Sequence, residues 1–192
     1  MQWKPFQIDP QTSPLGETVE DYCHRRWGGD GWTNRLKSEG RKDGAQFGDW
    51  KWWPNTLKAH QLIQYCESNG ISSTDRVNAL LFRAEYERGE NISLVDVLVR
   101  VGQEANDESG DDNSNLDRDD LSRFLTRNEG QTRVQQDIAR RRQQYGISSV
   151  PFFIVSADTV AANQQRPRGF SGAQSSDTFL EVFEEIEEEA SS

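Results

Sequence analysis

The chain of 192 residues is long enough for one domain, or for a small domain that carries a large insertion. Only 33% of its residues are hydrophobic, but 10% are aromatic and six are Trp, which argues against a wholly disordered chain. Its formal net charge of −10 argues against the basic surface that nucleic-acid binding requires.

The acidic charge is concentrated in two segments, residues 107–120 and 181–189, each with a net charge of −6, so the remainder is close to neutral. The sequence has no apolar run of about 18 residues and no apolar stretch at its N-terminus, so we expect neither a transmembrane helix nor a secretory signal. Cys23 and Cys66 form no CxxC motif, and the expectation is two reduced thiols in a cytoplasmic protein.

The pattern of apolar residues predicts one short strand, then a block of helices, then two strands and a final helix. Trp3, Pro5, Phe6 and Ile8 alternate as in a short strand that a turn closes at Asp9. The predicted helices cover residues 18–27, 33–39, 55–69, 73–88, 94–104, 119–128 and 132–145, with an acidic loop at 104–117. The later strands are predicted at 150–155 and 168–172, and the last helix begins at Ser175 or Ser176.

Four short motifs, at residues 3–10, 55–60, 149–153 and 170–174, occur in an order that resembles the DsbA-like thioredoxin-fold family. The closest resemblance is to the FrnE-type branch, whose relatives include 2-hydroxychromene-2-carboxylate isomerases and kappa-class glutathione transferases. The resemblance implies an α/β, thioredoxin-like fold with a large all-helical insertion. It also implies a division into a thioredoxin-like domain of residues 1–17 and 146–192, incomplete, and a helical insertion domain of residues 18–145.

Family members normally begin with a strand and a helix that carry a CxxC or a Ser-containing loop, and the sequence printed here begins after that segment. We therefore expect the chain as written to lack the N-terminal strand and the active-site helix, and to be redox-inactive. Without a central strand, the sheet would be incomplete and would offer a surface for oligomer formation.

The resemblance singles out Val150 and Pro151 as substrate-binding residues. In the family, a cis proline at this place leaves the backbone of the preceding residue free to pair with an extended ligand. The alternative is a trans proline that merely begins a strand. The sequence context and the family match favour the cis isomer.

Two further groups are candidate binding residues. Gly172, Ala173 and Gln174 lie where the last strand turns into the last helix, and free N–H groups there would suit a carboxylate of glutathione, or would form an ordinary helix cap. Asn55 and His60 match the family's active-site motif, although a lone helical His is more often structural than catalytic. No metal-binding spacing is present.

Three functions remain open at this point. The first is a DsbA/FrnE-like thiol–disulfide oxidoreductase that acts on a protein or peptide substrate. The second is a glutathione-dependent isomerase or transferase, with glutathione as the one candidate cofactor. The third is a non-catalytic module that binds peptides. None of the three requires a nucleic acid or a membrane as partner.

Overall fold

The structure is a computed structural model that describes residues 2–48, 50–71, 74–108, 116–156 and 167–190. It divides into two compact units, Met1–Ile138 and Ala139–Ser192, and the boundary falls within one helix. The helix-rich chain with small sheets agrees with the predicted α/β fold with a large helical insertion. Residues 1–17 belong to the first unit, and the boundary follows residue 138, whereas the sequence-based division separates residues 1–17 and ends the insertion at residue 145. The sequence-based division into two domains stays a prediction.

The first unit contains seven helices, one π-helical turn and one short β ladder in its described part. In chain order these elements are β1 (Glu17–Thr18), α1 (Val19–Trp27), α2 (Gly31–Lys42), β2 (Trp52–Trp53), α3 (Leu57–Ser68), α4 (Thr74–Phe82), the π-helical turn (Arg83–Glu87), α5 (Val95–Asp107), α6 (Arg118–Arg127) and α7 (Gln131–Tyr145), which ends in the second unit. β1 and β2 pair antiparallel over two residues each.

The core of this unit lies between α3, α4, α5 and α6. On α5, Val97, Leu98, Val101 and Ala105 follow the helical repeat, and this apolar stripe is buried against the neighbouring helices. Gly102 allows the close approach, because a Cβ added there would lie 2.7 Å from Leu121 Cδ2 and 3.0 Å from Leu62 Cδ1.

The predicted helix at residues 18–27 is confirmed, since α1 covers Val19–Trp27. Thr18 caps α1 by accepting a hydrogen bond of 3.0 Å from the Asp21 N–H, and Gly28 ends the helix in the left-handed region with φ +73°. The predicted helix at 33–39 is longer than expected, since α2 runs through Gly40 to Lys42.

The predicted strand at residues 3–8 is wrong, because this segment has no regular structure in the described chain. Pro5 has no N–H to donate to a sheet, and the Phe6 carbonyl is bonded to a side chain of α3 instead of a strand. The segment belongs to the helical unit because side chains of that unit hold its backbone.

The second unit is a β hairpin covered by a helix. β3 (Phe152–Val155) pairs antiparallel with β4 (Arg168–Ser171), and α8 (Ser176–Ala190) follows. Both strands were predicted. Phe153 and Phe170 face each other across the ladder, with ring centroids 5.4 Å apart, and the Phe179 ring of α8 packs edge-on against both.

Candidate functional site

The loop that enters β3 is the first candidate site. Helix α7 ends at Tyr145, Gly146 adopts φ +65°, and the Val150–Pro151 peptide bond is cis, the isomer that the sequence motif predicts. The Val150 side chain is 39% exposed, so the loop is open to solvent. The Pro151 carbonyl accepts a hydrogen bond of 2.8 Å from the Gly172 N–H, which extends the β3–β4 ladder by one pair.

The two edges of β3 follow from this ladder. In an antiparallel pair, alternate residues bond the partner strand, and the residues between them direct their N–H and C=O groups the other way. Pro151, Phe153 and Val155 bond toward β4, so the backbone groups of Phe152 and Ile154 point to the opposite side. In the described part of the chain, β4 is the one strand paired with β3. We call this opposite side the open edge of β3.

Helix α8 holds the hairpin that carries this edge. Arg168 of β4 forms an ion pair of 2.8 Å with Glu185 and a second ion pair with Glu189, both on α8. These pairs are largely exposed, and we expect each to contribute at most about 1 kcal/mol. The packing of α8 on the hairpin therefore depends mainly on the half-buried Phe153, Phe170 and Phe179 rings.

The residues at the start of α8, which are the second candidate group, are already engaged with their own chain. Gly172 adopts φ +89°, and Gln174 Nε2 donates to the Ser171 carbonyl at 2.8 Å. Ser175 Oγ accepts from the Thr178 N–H at 3.3 Å, and Asp177 places a carboxylate in the first turn. A hydroxyl cap and a carboxylate both weaken this helix end as a site for an anion, since the positive end of the dipole is already compensated.

Asn55 is the centre of a hydrogen-bond network in the helical unit. Its Oδ1 accepts from Gln7 Nε2 at 3.2 Å and from the Leu57 N–H at 3.1 Å, and its Nδ2 donates to the Thr12 carbonyl at 2.8 Å. The Asn55 N–H donates to Ser93 Oγ at 2.8 Å. Asn55 lies two residues before α3 and accepts from the first N–H of that helix.

His60 holds the same N-terminal segment one helical turn further on. Its Nε2 lies 3.0 Å from the Phe6 carbonyl oxygen, and a carbonyl accepts hydrogen bonds only, so Nε2 carries the proton. Burial lowers the pKa of His60, while the bond to Phe6 raises it by a smaller amount. The ring is therefore neutral near pH 7, with Nε2 engaged in a bond within the protein.

Asn55 and His60 thus act together on residues 6–12, within the first unit. Val150, Pro151, Gly172, Ala173 and Gln174 lie together in the second unit, around the Pro151–Gly172 bond. The seven predicted site residues therefore form two groups, one in each unit.

The two cysteines are free and buried, Cys23 in α1 and Cys66 in α3. Burial raises the pKa of the Cys66 thiol to about 12, and burial is also the main cause that raises the pKa of Cys23. Thiol exchange proceeds through the thiolate, so both residues are poor nucleophiles at neutral pH. Among the described residues, no group of three or more His, Cys, Asp and Glu side chains is placed to hold a metal ion.

Glu85 is a feature that the sequence analysis missed. It lies in the π-helical turn Arg83–Glu87 and is 7% exposed, against a layer of aromatic rings that includes Trp50 and Tyr86. Glu85 lies four residues after the buried Leu81, on the apolar face of the predicted helix. This spacing was the sequence signal that could have indicated its burial.

The architecture is that of an α/β protein in which a β hairpin and its helix follow a large helical unit. Residues 1–184 match the DSBA-like thioredoxin domain, and the chain belongs to this family of thiol–disulfide oxidoreductases. No curated protein matches the sequence significantly. Within the described residues, no helix has both the length and the apolar character needed to cross a membrane.

Proposed function

We propose that the chain is a DsbA-type protein of the FrnE branch that binds an extended thiol- or disulfide-bearing protein or peptide along the Val150–Pro151 loop and the open edge of β3. The observation that carries the proposal is the direction of the Phe152 and Ile154 backbone groups, which point away from β4. An extended peptide can add to such an edge through main-chain hydrogen bonds, with side chains alternating above and below the sheet.

We further propose that neither Cys23 nor Cys66 exchanges disulfides with the bound substrate. Both thiols are fully buried, and burial raises the pKa of each, so the reactive thiolate is scarce at neutral pH. The chain would therefore bind its substrate without a redox step at either cysteine. The two reduced thiols also suit the cytoplasm, which we include in the proposal.

Glutathione as the ligand receives less support. In the glutathione hypothesis, a carboxylate of glutathione binds the N–H groups at Gly172, Ala173 and Gln174. The Ser175 cap and the Asp177 carboxylate compete with that assignment, and the Gln174 side chain bonds Ser171. We therefore favour a peptide over glutathione, and binding over an isomerase or transferase reaction.

The test is an NMR titration of the chain with an unstructured, cysteine-bearing peptide. We expect concentration-dependent shifts of the Phe152 and Ile154 amides, while amides of the helical core remain unchanged. The variant Ile154→Pro removes the outward N–H without removing a bond to β4, so binding should weaken at least tenfold while the hairpin persists. Leu180→Ala, which alters an exposed apolar residue of α8, serves as the control and should bind like the wild type.

Two results would count against the proposal. Unchanged affinity in Ile154→Pro would show that the edge does not bind the peptide. Shifts of the same amides on raising the protein concentration, without peptide, would show that the open edge pairs with a second copy of the chain instead.

A further inference from the structure

Glu85 is a buried carboxyl group without a cationic partner. Arg83 and Arg88 lie on the same stretch of chain but pair with Glu104 of α5, and Arg83 also approaches Glu87. Among the described residues, no Lys, Arg or His forms an ion pair with Glu85. A buried charge without a partner is costly, so the neutral acid is the form that fits this place.

The layer over Glu85 is built from aromatic rings that contact one another. The Trp50 ring lies 5.2 Å from Tyr86 and 6.2 Å from Phe47 between centroids, and the Phe47 ring lies 5.7 Å from Tyr86. Because these rings are in mutual contact, the cluster is packed and does not form an open cage for a ligand. Lys37 of α2 makes a cation–π contact with this cluster, with Nζ 5.9 Å from the Trp50 ring centroid.

The backbone before β2 is attached directly to the π-helical turn. The Gly48 N–H donates to the Tyr86 carbonyl at 3.0 Å. A Cβ at residue 48 would lie 2.1 Å from the Glu87 carbonyl oxygen, so only glycine permits this approach. Phe47, Gly48 and Trp50 are therefore attached to the turn by one backbone hydrogen bond and by ring contacts, all with Tyr86, the residue that follows Glu85.

We propose that Glu85 is a proton-dependent switch in the helical unit. With the carboxyl group protonated, the segment of Phe47, Gly48 and Trp50 is docked on the π-helical turn. Loss of the proton to solvent places a negative charge beneath the aromatic layer and releases the segment, so that water reaches the carboxylate. This release occurs at the π-helical turn, a rare element that is often found at functional positions.

The direction of the pH effect follows from the two forms. Burial raises the pKa of Glu85 to about 8 in the docked form, although hydrogen bonds with Tyr86 and Trp50 lower it in part. In the released form the carboxyl group regains an ordinary pKa near 4.3. Between these values the docked form holds a proton that the released form does not, so a higher pH favours release.

Other titratable groups on the surrounding elements contribute less to the pH dependence of docking in this range. Burial raises the pKa of Tyr86, with the nearby Glu85 as a further cause, so its hydroxyl stays neutral. The bond from Arg88 lowers the pKa of Glu104, which stays ionised, and the same bond raises the pKa of Arg88, which stays charged. The Lys37 ammonium group lies over the Trp50 ring, with Nζ 5.9 Å from the ring centroid, and forms no ion pair with Glu85 among the described residues.

The test is amide hydrogen exchange of Gly48 between pH 5 and 8, expressed as a protection factor under conditions where exchange reports the opening equilibrium. In the wild type we expect this protection to fall by up to tenfold per pH unit, because each opening releases one proton. The Leu98 amide, in the core of α5, should remain better protected than Gly48 throughout.

The variant Glu85→Gln replaces the acid with a neutral amide of the same shape, and its Gly48 protection should not change with pH. The matched control is Glu87→Gln, an exposed residue of the same turn, which should keep the wild-type slope. An equal slope in Glu85→Gln and the wild type would overturn the proposal, as would equal protection of Gly48 and Leu98.

If Glu85→Gln does not fold, Tyr86→Phe provides a second test. This variant keeps the ring and removes a hydrogen bond that lowers the pKa of Glu85. The near-ultraviolet circular dichroism of the aromatic cluster should then change at a higher pH than in the wild type. An unchanged midpoint would overturn the proposal.

Discussion

Asn55 holds the N-terminal segment, and replacing it with Ala tests that role. The substitution removes three side-chain hydrogen bonds, which join Asn55 to Gln7, Thr12 and Leu57 at 2.8–3.2 Å. A hydrogen bond contributes about 0.5–1.5 kcal/mol net, and partners left buried without a bond add to the loss. We therefore expect Asn55→Ala to lower the free energy of unfolding by roughly 2–4 kcal/mol.

The assay is urea denaturation, followed by far-ultraviolet circular dichroism, with limited proteolysis as a second measurement. Cleavage within residues 2–16 should become faster in Asn55→Ala, because the Thr12 carbonyl loses its partner and the segment is then less firmly attached.

A matched control is Asn78→Ala, which removes one local bond from Asn78 to the Thr74 carbonyl within α4. We expect this control to cost about 1 kcal/mol or less and to leave cleavage of residues 2–16 unchanged. An Asn55→Ala variant as stable as Asn78→Ala, with wild-type proteolysis, would refute the structural role of Asn55.

Three other substitutions test the packing and the titration of the two units. Gly102→Ala should lower the free energy of unfolding by about 1–3 kcal/mol, because the new Cβ overlaps Leu121 and Leu62. Urea denaturation measures this loss, and an unchanged free energy would contradict the close approach of these helices. His60→Gln should remove a pH dependence of stability. Because the pKa of His60 is lowered in the folded state, the wild type should lose stability as pH falls below about 6.5. Parallel profiles of unfolding free energy against pH for wild type and variant, between pH 7.5 and 5.5, would contradict this. Phe179→Ala removes two edge-on ring contacts of a half-buried side chain, so it should cost roughly 1–3 kcal/mol and speed amide exchange in β3 and β4. Unaltered exchange in these strands would show that α8 does not hold the hairpin.

Much of the fold was predictable because its signals are local. Helices α1 and α5 are confirmed, and their signals depend only on residues close by in the sequence. These signals are the cap at Thr18, the glycine at 28 and the apolar stripe of Val97, Leu98 and Val101. The apolar run at 150–155 likewise identified β3. The order of the motifs identified the family, which the match over residues 1–184 confirms.

The predicted strand at residues 3–8 failed because a strand depends on a distant partner. Alternation of Trp3, Pro5 and Ile8 is compatible with a sheet, but Asn55 and His60 supply the bonds instead, from about fifty residues away. Pairing of side chains with the backbone over such a distance leaves no periodic signal in the sequence.

The candidate site was predicted in its residues but not in its arrangement. The motif gave Val150 and Pro151, whereas the open edge of β3 required the register of the hairpin, which fixes the direction of the Phe152 and Ile154 groups. Glu85 was missed because a charged residue on an apolar helix face usually lies near a boundary, and its burial depends on Trp50, more than thirty residues earlier.

We propose that this member of the DSBA-like thioredoxin domain family binds substrate without using its own thiols. The most direct measurement is the rate of insulin reduction by dithiothreitol in the presence of the chain, compared with the double variant Cys23→Ser/Cys66→Ser. We expect equal rates, because both thiols are buried and burial raises the pKa of each. A wild-type rate clearly above that of the double variant would contradict it.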